Sequence, residues 1–450
     1  MDTIYALSTP IGQSGIAVVR VSGPRALKGL CLLSGKKADD IVPNMMALGS
    51  LKDPVSRETI DQAMAAYFKA PHSFTGEDSA EYFLHGGIAV IESMLEALSK
   101  IDSYRLAEPG EFTRRAFENG KMDLTEAEAV ADLIHAETAL QKQQALGQLG
   151  GALSKLYEGW ADRLKKSLAH IEADLEFPDE DLPEGVMPEV LPVLKALHVE
   201  ISGHLDDNRR GERLRDGVKI AVIGAPNVGK SSLVNNLAQR DVAIVSPHEG
   251  TTRDIIDVHL NLGGFPVILS DTAGLRPDQI GQEGQEGIES EGIKRALKKA
   301  EDADIRLLVL DAGKLPALDQ HTIDLMSEHA VVVLNKCDQA ASGAPDNING
   351  YAVHQISVER NEGIDHLLDK IIARMKEMVA PSEAPSLTRR RHREALIECK
   401  TALERAFEAR LPELVAEDVR LAMRALGRIT GRVDVEDLLD VIFRDFCIGK

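Results

Sequence analysis

Val218-Lys219-Ile220-Ala221-Val222-Ile223 reads as a strand, and it runs directly into Gly224-Ala225-Pro226-Asn227-Val228-Gly229-Lys230-Ser231 and then a helical pattern. Strand, G-x-x-x-x-G-K-[ST] and helix in that order leave few folds open, because the turn must wrap an anion at a helix N-terminus. Its glycines let backbone N–H groups close around phosphates, Lys230 neutralises β/γ charge, and the Ser231 hydroxyl ligates Mg²⁺. The alternation continues, with strands expected at Val267–Leu269, Arg306–Leu310 and Val331–Leu334. Strands separated by helices predict a parallel, doubly wound sheet.

Three further segments stand in the order a guanine-nucleotide domain needs. Asp271-Thr272-Ala273-Gly274 follows the second strand, with its Asp near Mg²⁺ and the Gly274 N–H within reach of a γ-phosphate. Asn335-Lys336-Cys337-Asp338 follows the fourth. The Asp338 carboxylate accepts from guanine N1–H and the 2-amino group together; adenine offers neither donor and would leave it desolvated and unpaired. Thr251-Thr252-Arg253-Asp254 lies where a switch loop supplies a second Mg²⁺ ligand. These motifs together predict a GTPase. Leu275, however, stands where Ras-like enzymes carry the Gln that orients water. Other groups must position water and neutralise the developing charge, and the Asn227 amide oxygen suits a hard monovalent cation.

At 450 residues the chain exceeds one ordinary core, and two to four domains are expected. Residues 1–118 mix strands, at Ile16–Val21 and Ala80–Leu84, with a helix over Ile88–Ser99, an α+β domain. Residues 119–216 are helical. Asp123 and Thr125 are N-cap candidates there, Thr125-x-x-Glu128 fits a capping box, and Leu124, Ala127, Val130, Ala131 and Ile134 form one apolar face. Helix is expected to continue to Leu175, with another over Leu191–Glu212. Residues 217–378 carry the α/β rhythm, and 379–450, opening on the linker Ala380-Pro381-Ser382-Glu383-Ala384-Pro385, are helical again. The expected architecture is therefore multidomain: an α+β N-terminal domain, a helical domain in two halves, and an inserted α/β P-loop GTPase domain of Ras-like type.

Hydrophobic residues at 44% and charged residues at 28% give the balance of a soluble chain. No apolar run approaches the ~18 residues a spanning helix needs, and Met1-Asp2-Thr3-Ile4 lacks the basic start of a signal peptide. Four scattered cysteines fit a reducing cytoplasm. A formal charge of −20 repels phosphates on average, so a nucleic-acid contact needs a local basic patch. Arg389-Arg390-Arg391-His392-Arg393 is a candidate, although a solvated first helical turn is the favoured reading. Cys447-Ile448-Gly449-Lys450 has the length of a C-a-a-X box, but its Gly and Lys argue against prenylation. The histidines show no paired spacing, so no transition-metal site is expected.

Several segments go beyond generic GTPase motifs: Phe74-Thr75-Gly76-Glu77-Asp78, Pro109-Gly110-Glu111-Phe112-Thr113-Arg114-Arg115-Ala116-Phe117, Gly120-Lys121-Met122-Asp123-Leu124, Gly250-Thr251-Thr252-Arg253-Asp254 and Phe446-Cys447-Ile448-Gly449-Lys450. Through them the whole chain resembles the bacterial and organellar tRNA modification GTPase family MnmE, also called TrmE. The resemblance implies nucleotide contacts from Asn227, Val228, Gly229, Lys230, Ser231, Ser232, Ser246, Thr251, Thr252, Asp271, Thr272, Ala273, Gly274, Asn335, Lys336, Asp338, Ser357, Val358 and Glu359. It implies Mg²⁺ on Ser231 and Thr252, and K⁺ beside the phosphates on Asn227, Ser246, His248 and Thr251. The family's catalytic Glu aligns with Glu289, acting with Asn227; Glu286 and Glu291 remain alternatives across the Gly/Gln/Glu-rich stretch from Pro277. Ser357-Val358-Glu359 departs from the family's usual Ser-Ala-Lys or Ser-Ala-Arg.

The resemblance further implies a site for 5-formyl-tetrahydrofolate or a related tetrahydrofolate, formed by Arg20, Glu81, Lys121 and Lys450. Cationic side chains suit the polyanionic folate tail, and Glu81 can accept from the pterin's donors. Residues 447–450 are expected to be pinned inside the helical domain. The implied molecule is a cytoplasmic homodimer, joined through its N-terminal domains, that works with the FAD-dependent MnmG (GidA) in a heterotetramer. It would install a carboxymethylaminomethyl or aminomethyl group at C5 of the wobble uridine of certain tRNAs, without a membrane. The alternative is a ribosome-assembly GTPase of the Era/Der type, which leaves the folate motifs unexplained and predicts a KH module that neither flank shows.

Overall fold

The computed structural model describes residues 2–176, 187–240, 257–271, 301–340, 344–379, 385–433, 436–444 and 446–449. The chain forms two compact units, one of Met1–Ala131, Gln148–Leu194 and Thr401–Lys450, the other of Asp132–Gly147 and Lys195–Lys400.

In the first unit β1 (Thr3–Leu7), β2 (Ser14–Ser22), β3 (Met46–Lys52), β4 (Thr59–Phe68), β5 (Ser79–Gly86) and β6 (Tyr104–Leu106) build one sheet in the order β3-β4-β5-β2-β1-β6. Only β1 and β6 run parallel; the other neighbours are antiparallel. Strand alternation sends Val19, Val21, Ala63, Ala65, Tyr67, Tyr82 and Leu84 to one face, where Leu30 and Leu33 of helix Ala26–Ser34 and Met94 and Leu98 of helix Ile88–Ser99 cover them. The opposite face has two halves. Over β1, Ile4 and Ala6 pack with Ala107, Phe112 and Phe74. Over β3 and β4 it is open, and the register partners Leu48 and Met64 are 72% and 42% exposed.

Helix Leu124–Ile134 opens on a reciprocal cap: Asp123 Oδ1 accepts from Glu126 N–H and Glu126 Oε2 from Asp123 N–H, both at 2.9 Å. This replaces the expected box at Thr125 and Glu128. Both of those residues lie inside the helix and are buried, the Thr125 hydroxyl donating to Asp123 Oδ1. The continuous helix expected up to Leu175 is three helices, Leu124–Ile134, Ala139–Leu149 and Ala152–Glu176. The last break falls at Gly151, whose φ of +77° suits a residue without Cβ. Leu124, Ala127 and Ala131 are buried against Leu439, Phe443 and Phe446, and Ala152–Glu176 packs along Pro412–Thr430.

In the second unit β7 (Val218–Ile223), β8 (Asp257–Leu262), β9 (Phe265–Asp271), β10 (Ile305–Asp311), β11 (Ala330–Asn335), β12 (Asn347–Ile348) and β13 (Tyr351–Gln355) are ordered β12-β13-β11-β10-β7-β9-β8. The five inner strands are parallel, as the alternating rhythm requires. The sheet as a whole is mixed, because β8 and β12 add antiparallel edges through tight turns at Gly263-Gly264 and Asn349-Gly350. Helix Ile364–Val379 buries Leu367, Ile371 and Met375 against this sheet. The helix expected over Leu191–Glu212 is two, Met187–Leu205 and Arg210–Asp216, broken where Asn208 and Arg209 take φ of +51° and +55°. The basic cluster is not a solvated turn: His392 is buried, Arg393 binds Asp207 and Glu212, and Arg389 binds Asp132. Arg390 is the member that faces solvent, paired with Glu394.

Candidate functional sites

The nucleotide site grows from the C-terminal ends of β7, β9, β10 and β11, where an open parallel sheet leaves a crevice. Gly224 ends β7 so close to β10 that a Cβ would lie 2.3 Å from the Val309 carbonyl oxygen. Gly229, at φ +99°, passes Asn335 equally tightly, a Cβ there meeting Nδ2 at 2.3 Å. These approaches account for both motif glycines. Asn227 holds a left-handed φ of +63° and is exposed at the loop tip, and Ser231 and Ser232 are exposed on the first turn of helix Lys230–Arg240. The Lys230 ammonium donates to the carbonyls of Gly224 and Ala225 at 2.8 and 2.9 Å, folded over the loop that phosphates would fill.

β11 delivers the base-reading group. Asn335 is buried and stitches two loops: Nδ2 donates to Val228 O at 2.8 Å, and Oδ1 accepts from Val358 N–H at 3.2 Å. Lys336 donates to Asn227 O and to Asp311 Oδ2, each at 2.7 Å. Asp338 has a side chain only 7% exposed, with Oδ2 3.7 Å from Arg360 Nε. Its Oδ1 is buried without a hydrogen-bond partner, an arrangement that costs about 1–3 kcal/mol unless a ligand supplies the donor. Guanine N1–H and its 2-amino group are such donors. Ser357 is buried and accepts from Arg360 N–H, whereas Glu359 is exposed.

The structure thus brings Asn227 to Ser232 together with Asn335, Lys336, Asp338, Ser357 and Val358. Asp271 closes β9 opposite Val222. Ser246, His248, Thr251, Thr252, Thr272, Ala273, Gly274, Leu275 and Glu289, with Glu286 and Glu291, lie outside the described residues, as does Lys450. Sequence reasoning missed the link from Lys336 to Asp311; the acid at the end of β10, one strand over, is the signal that could have exposed it.

The second site lies on the sheet of the first unit, between its covered and open halves. Arg20 and Glu81 are register partners across β2 and β5, and Arg20 Nε donates to Glu81 Oε1 at 2.9 Å. The guanidinium stands 5.3 Å from the Phe74 ring centre and 5.8 Å from that of Phe112, two aromatic contacts the sequence did not disclose. Phe74 belongs to a loop fixed by Glu77, which accepts from Ser22 at 2.8 Å and from Arg115 at 3.2 Å. Lys121 donates to Pro71 O at 3.0 Å, its stem against Gly76 in that same loop. Burial alone would raise the Glu111 carboxyl, but hydrogen bonds from Arg105, the Glu108 N–H and Arg115 take it below its ordinary value. That ionic cluster, with Asp2, anchors the helix Glu111–Glu118 carrying Phe112.

The tail departs from expectation. Phe446 packs in the helical core, but residues 447–449 turn to the sheet instead. Ile448 bridges Pro109, Gly110 N–H donates to Cys447 O at 3.4 Å, and the Ser8 hydroxyl to Gly449 O at 3.0 Å. A Cβ on Gly449, at φ +97°, would lie 2.3 Å from Leu7 O. Since Ala6 pairs with Arg20 across β1 and β2, the tail reaches the strand beside the ion pair.

Comparison with known proteins matches the "MnmE helical domain" profile to residues 124–447 and the "GTP-binding protein TrmE N-terminus" profile to residues 3–121. The chain is 52% identical to the tRNA modification GTPase MnmE of Parvibaculum lavamentivorans, and 49% identical to those of Paramagnetospirillum magneticum and Rhodospirillum rubrum, each alignment covering 100% of both chains. Among solved structures, the G domain of the T. maritima FeoB iron transporter covers 35% of this chain and 98% of its own at 24% identity with a TM-score of 0.25, a likeness too low to carry weight. Among the described residues, no helix is long and apolar enough to cross a membrane.

Proposed function

The chain belongs to the MnmE (TrmE) family of tRNA modification GTPases, and from that premise we propose that it hydrolyses GTP in a K⁺-dependent way to drive C5 modification of the wobble uridine of certain tRNAs. The observation that carries the guanine part is the buried, unpartnered Oδ1 of Asp338, positioned beside the phosphate loop through Asn335 and Lys336. Lys230 and the helix N-terminus behind it neutralise phosphate charge, and Ser231 with Thr252 would hold Mg²⁺. Leu275 offers no group to orient water, so we assign that task to Glu289, and charge neutralisation to a K⁺ held through Asn227, Ser246, His248 and Thr251. Held there, K⁺ would supply a fixed positive charge against the phosphates.

We assign the Arg20–Glu81 pair, Lys121 and Lys450 to a tetrahydrofolate that provides the one-carbon unit. Support comes from the aromatic walls Phe74 and Phe112 around a mostly buried cation, and from the tail that lies against β1. The exposed apolar face over β3 and β4 supports a homodimer through these sheets, and the redox step falls to an FAD-containing MnmG partner. Residues 1–118, 119–216 with 379–450, and 217–378 would be the folate, helical and GTPase domains of a cytoplasmic enzyme.

The test compares GTP turnover in K⁺ and Na⁺ for the wild type and Asn227→Gly, a change that removes the amide without forcing another side chain into φ +63°. A K⁺ preference lost in the variant is expected; equal rates in both salts for the wild type would overturn the ion assignment. Reconstitution of tRNA modification with the FAD partner and folate checks the remainder, and activity independent of GTP would refute it.

A further inference from the structure

Both chain crossings of the inserted α/β segment meet at one carboxylate. Arg215, in the helix that leads into β7, donates through Nε to Asp132 Oδ1 at 2.8 Å. Arg389, on the segment that leads out toward helix Arg390–Glu408, donates through its guanidinium to that same oxygen at 2.7 Å. Asp132 itself comes from far earlier in the chain, in helix Leu124–Ile134, and its side chain is only 12% exposed. A largely buried oxygen shared by two guanidiniums is a strong and directional joint, because each N–H must stay aimed at it.

Neighbouring contacts show what this joint holds. Gly211 in the incoming helix approaches the outgoing chain so closely that a Cβ would lie 2.2 Å from Leu387 O. Gln141 donates to Arg215 O at 3.0 Å and Gln144 to Gly211 O at 3.3 Å, so helix Ala139–Leu149 grips the incoming helix by its backbone. Leu140 packs against the hydrophobic core of the α/β sheet, to which the β8–β9 hairpin contributes Leu260, Leu262, Val267 and Leu269. Glu137 reaches His259 on β8 at 3.4 Å. That hairpin runs from the segment that contains Thr251 and Thr252 to Asp271, the start of Asp-Thr-Ala-Gly. The stretch 132–147 therefore touches the strands between both nucleotide-sensing segments and also ties the two crossings.

We propose that Asp132 is a positioning residue that couples the nucleotide state of the GTPase domain to tRNA modification, by holding residues 132–147, the incoming helix and the outgoing chain as one joint. A shift of the β8–β9 hairpin moves this stretch, and the covalent continuity of helix Leu124–Ile134 carries the movement onward. The inference rests on the reading that GTP turnover drives modification.

The experiment uses the full-length protein with its FAD partner and measures GTP turnover and modified tRNA side by side in the wild type, Asp132→Asn and Asp132→Glu. The Asn variant keeps the size and one acceptor of Asp but discards the charge. Expected are GTP turnover within about twofold of wild type and modified tRNA per GTP lowered roughly 5- to 20-fold, within the usual range of coupling between sites, with recovery in Asp132→Glu. Hydrogen exchange in helix Leu124–Ile134 should respond to a GTP analogue in the wild type and not in Asp132→Asn, a readout that a purely structural role would leave nucleotide-dependent. An unchanged modification-to-GTP ratio, or an unchanged exchange response, overturns the proposal. If the wild type modifies tRNA without GTP, the functional reading fails instead. Should Asp132→Asn not fold, Arg389→Gln, which keeps the Arg215 arm, replaces it under those same criteria.

Discussion

Asp338 shows how one side chain can store a specificity. Its Oδ1 is sealed from water with no donor, so the free protein carries a desolvation penalty that only a base with adjacent N–H groups removes. An amide at this position would oppose an N–H to the guanine 2-amino group. Asp338→Asn should therefore weaken GTP by about 3 kcal/mol, beyond a hundredfold, and shift preference to xanthosine triphosphate, whose 2-oxo group accepts from an amide. Calorimetric titration with both nucleotides checks this; unaltered selectivity would remove Asp338 from base reading. The base-reading motif was legible in the sequence because Asn335 to Asp338 follows a strand, a local pattern. Arg20's aromatic surroundings were not, since Phe74 and Phe112 lie 54 and 92 positions away and meet it only through the fold.

Among elements, the strands with β-branched runs, β2, β7 and β11, were readable, whereas β3 and β4 were missed. Met46-Ala47-Leu48-Gly49-Ser50 and Gln62-Ala63-Met64-Ala65-Ala66 lack the residues that mark a pleated surface, and only sheet context makes them strands. Helix extents failed for a related reason. Thr125 and Glu128 matched a box, but Asp123 and Glu126 matched one as well, and the register was settled by burial of Thr125 and Glu128.

The tail segment gives an element-scale prediction. Gly449→Ala adds a Cβ 2.3 Å from Leu7 O at a left-handed φ of +97°, so the tail must leave β1. Folate affinity should drop at least about tenfold, from strain and clash together exceeding ~1.4 kcal/mol, while GTP turnover stays at the wild-type rate. Undiminished binding of 5-formyl-tetrahydrofolate would detach the tail from the site. A second prediction concerns helix Met187–Leu205. Burial, opposed by the Asp207 carboxylate and aided by the charges of Arg393 and His392, lowers the His204 pKa from 6.5 to about 4. The unfolded chain then binds a proton that the folded one refuses, so stability is full above pH 6.5 and falls as pH drops toward 4. Between pH 6.5 and 5 the loss should reach about 1–2 kcal/mol, allowing for the partial exposure of the ring, and His204→Gln should flatten it in urea denaturation. An identical pH slope in that variant would clear His204.

For the molecule as a whole, the open sheet face matters most. Leu48 and Met64 face water on a sheet whose other surface is sealed, and burying both against a second copy is worth roughly 1.5–3 kcal/mol per side chain. The proposed homodimer thus predicts wild-type dimers in sedimentation and, at the same concentration, Leu48→Glu monomers with GTP binding intact. Dimers that persist would place the interface elsewhere. The insertion was legible from afar, because a strand–helix rhythm interrupting one-faced helices is visible over a hundred residues. The joint that roots it was not: Asp132, Arg215 and Arg389 carry no pattern in common.

The core that pairs Leu124, Ala127 and Ala131 with Leu439, Phe443 and Phe446 has a consequence in time. Its two sides are roughly 300 residues apart, so at the ~5–20 residues per second of translation the first apolar face waits about 15–60 s for its cover. Throughout that interval the whole inserted domain emerges and can fold, while the helix ahead of it remains half-sheltered. Nascent chains of this protein should accordingly be clients of holding chaperones during that window, and substitutions that enlarge the waiting face should lower yield before they alter the stability of the finished molecule.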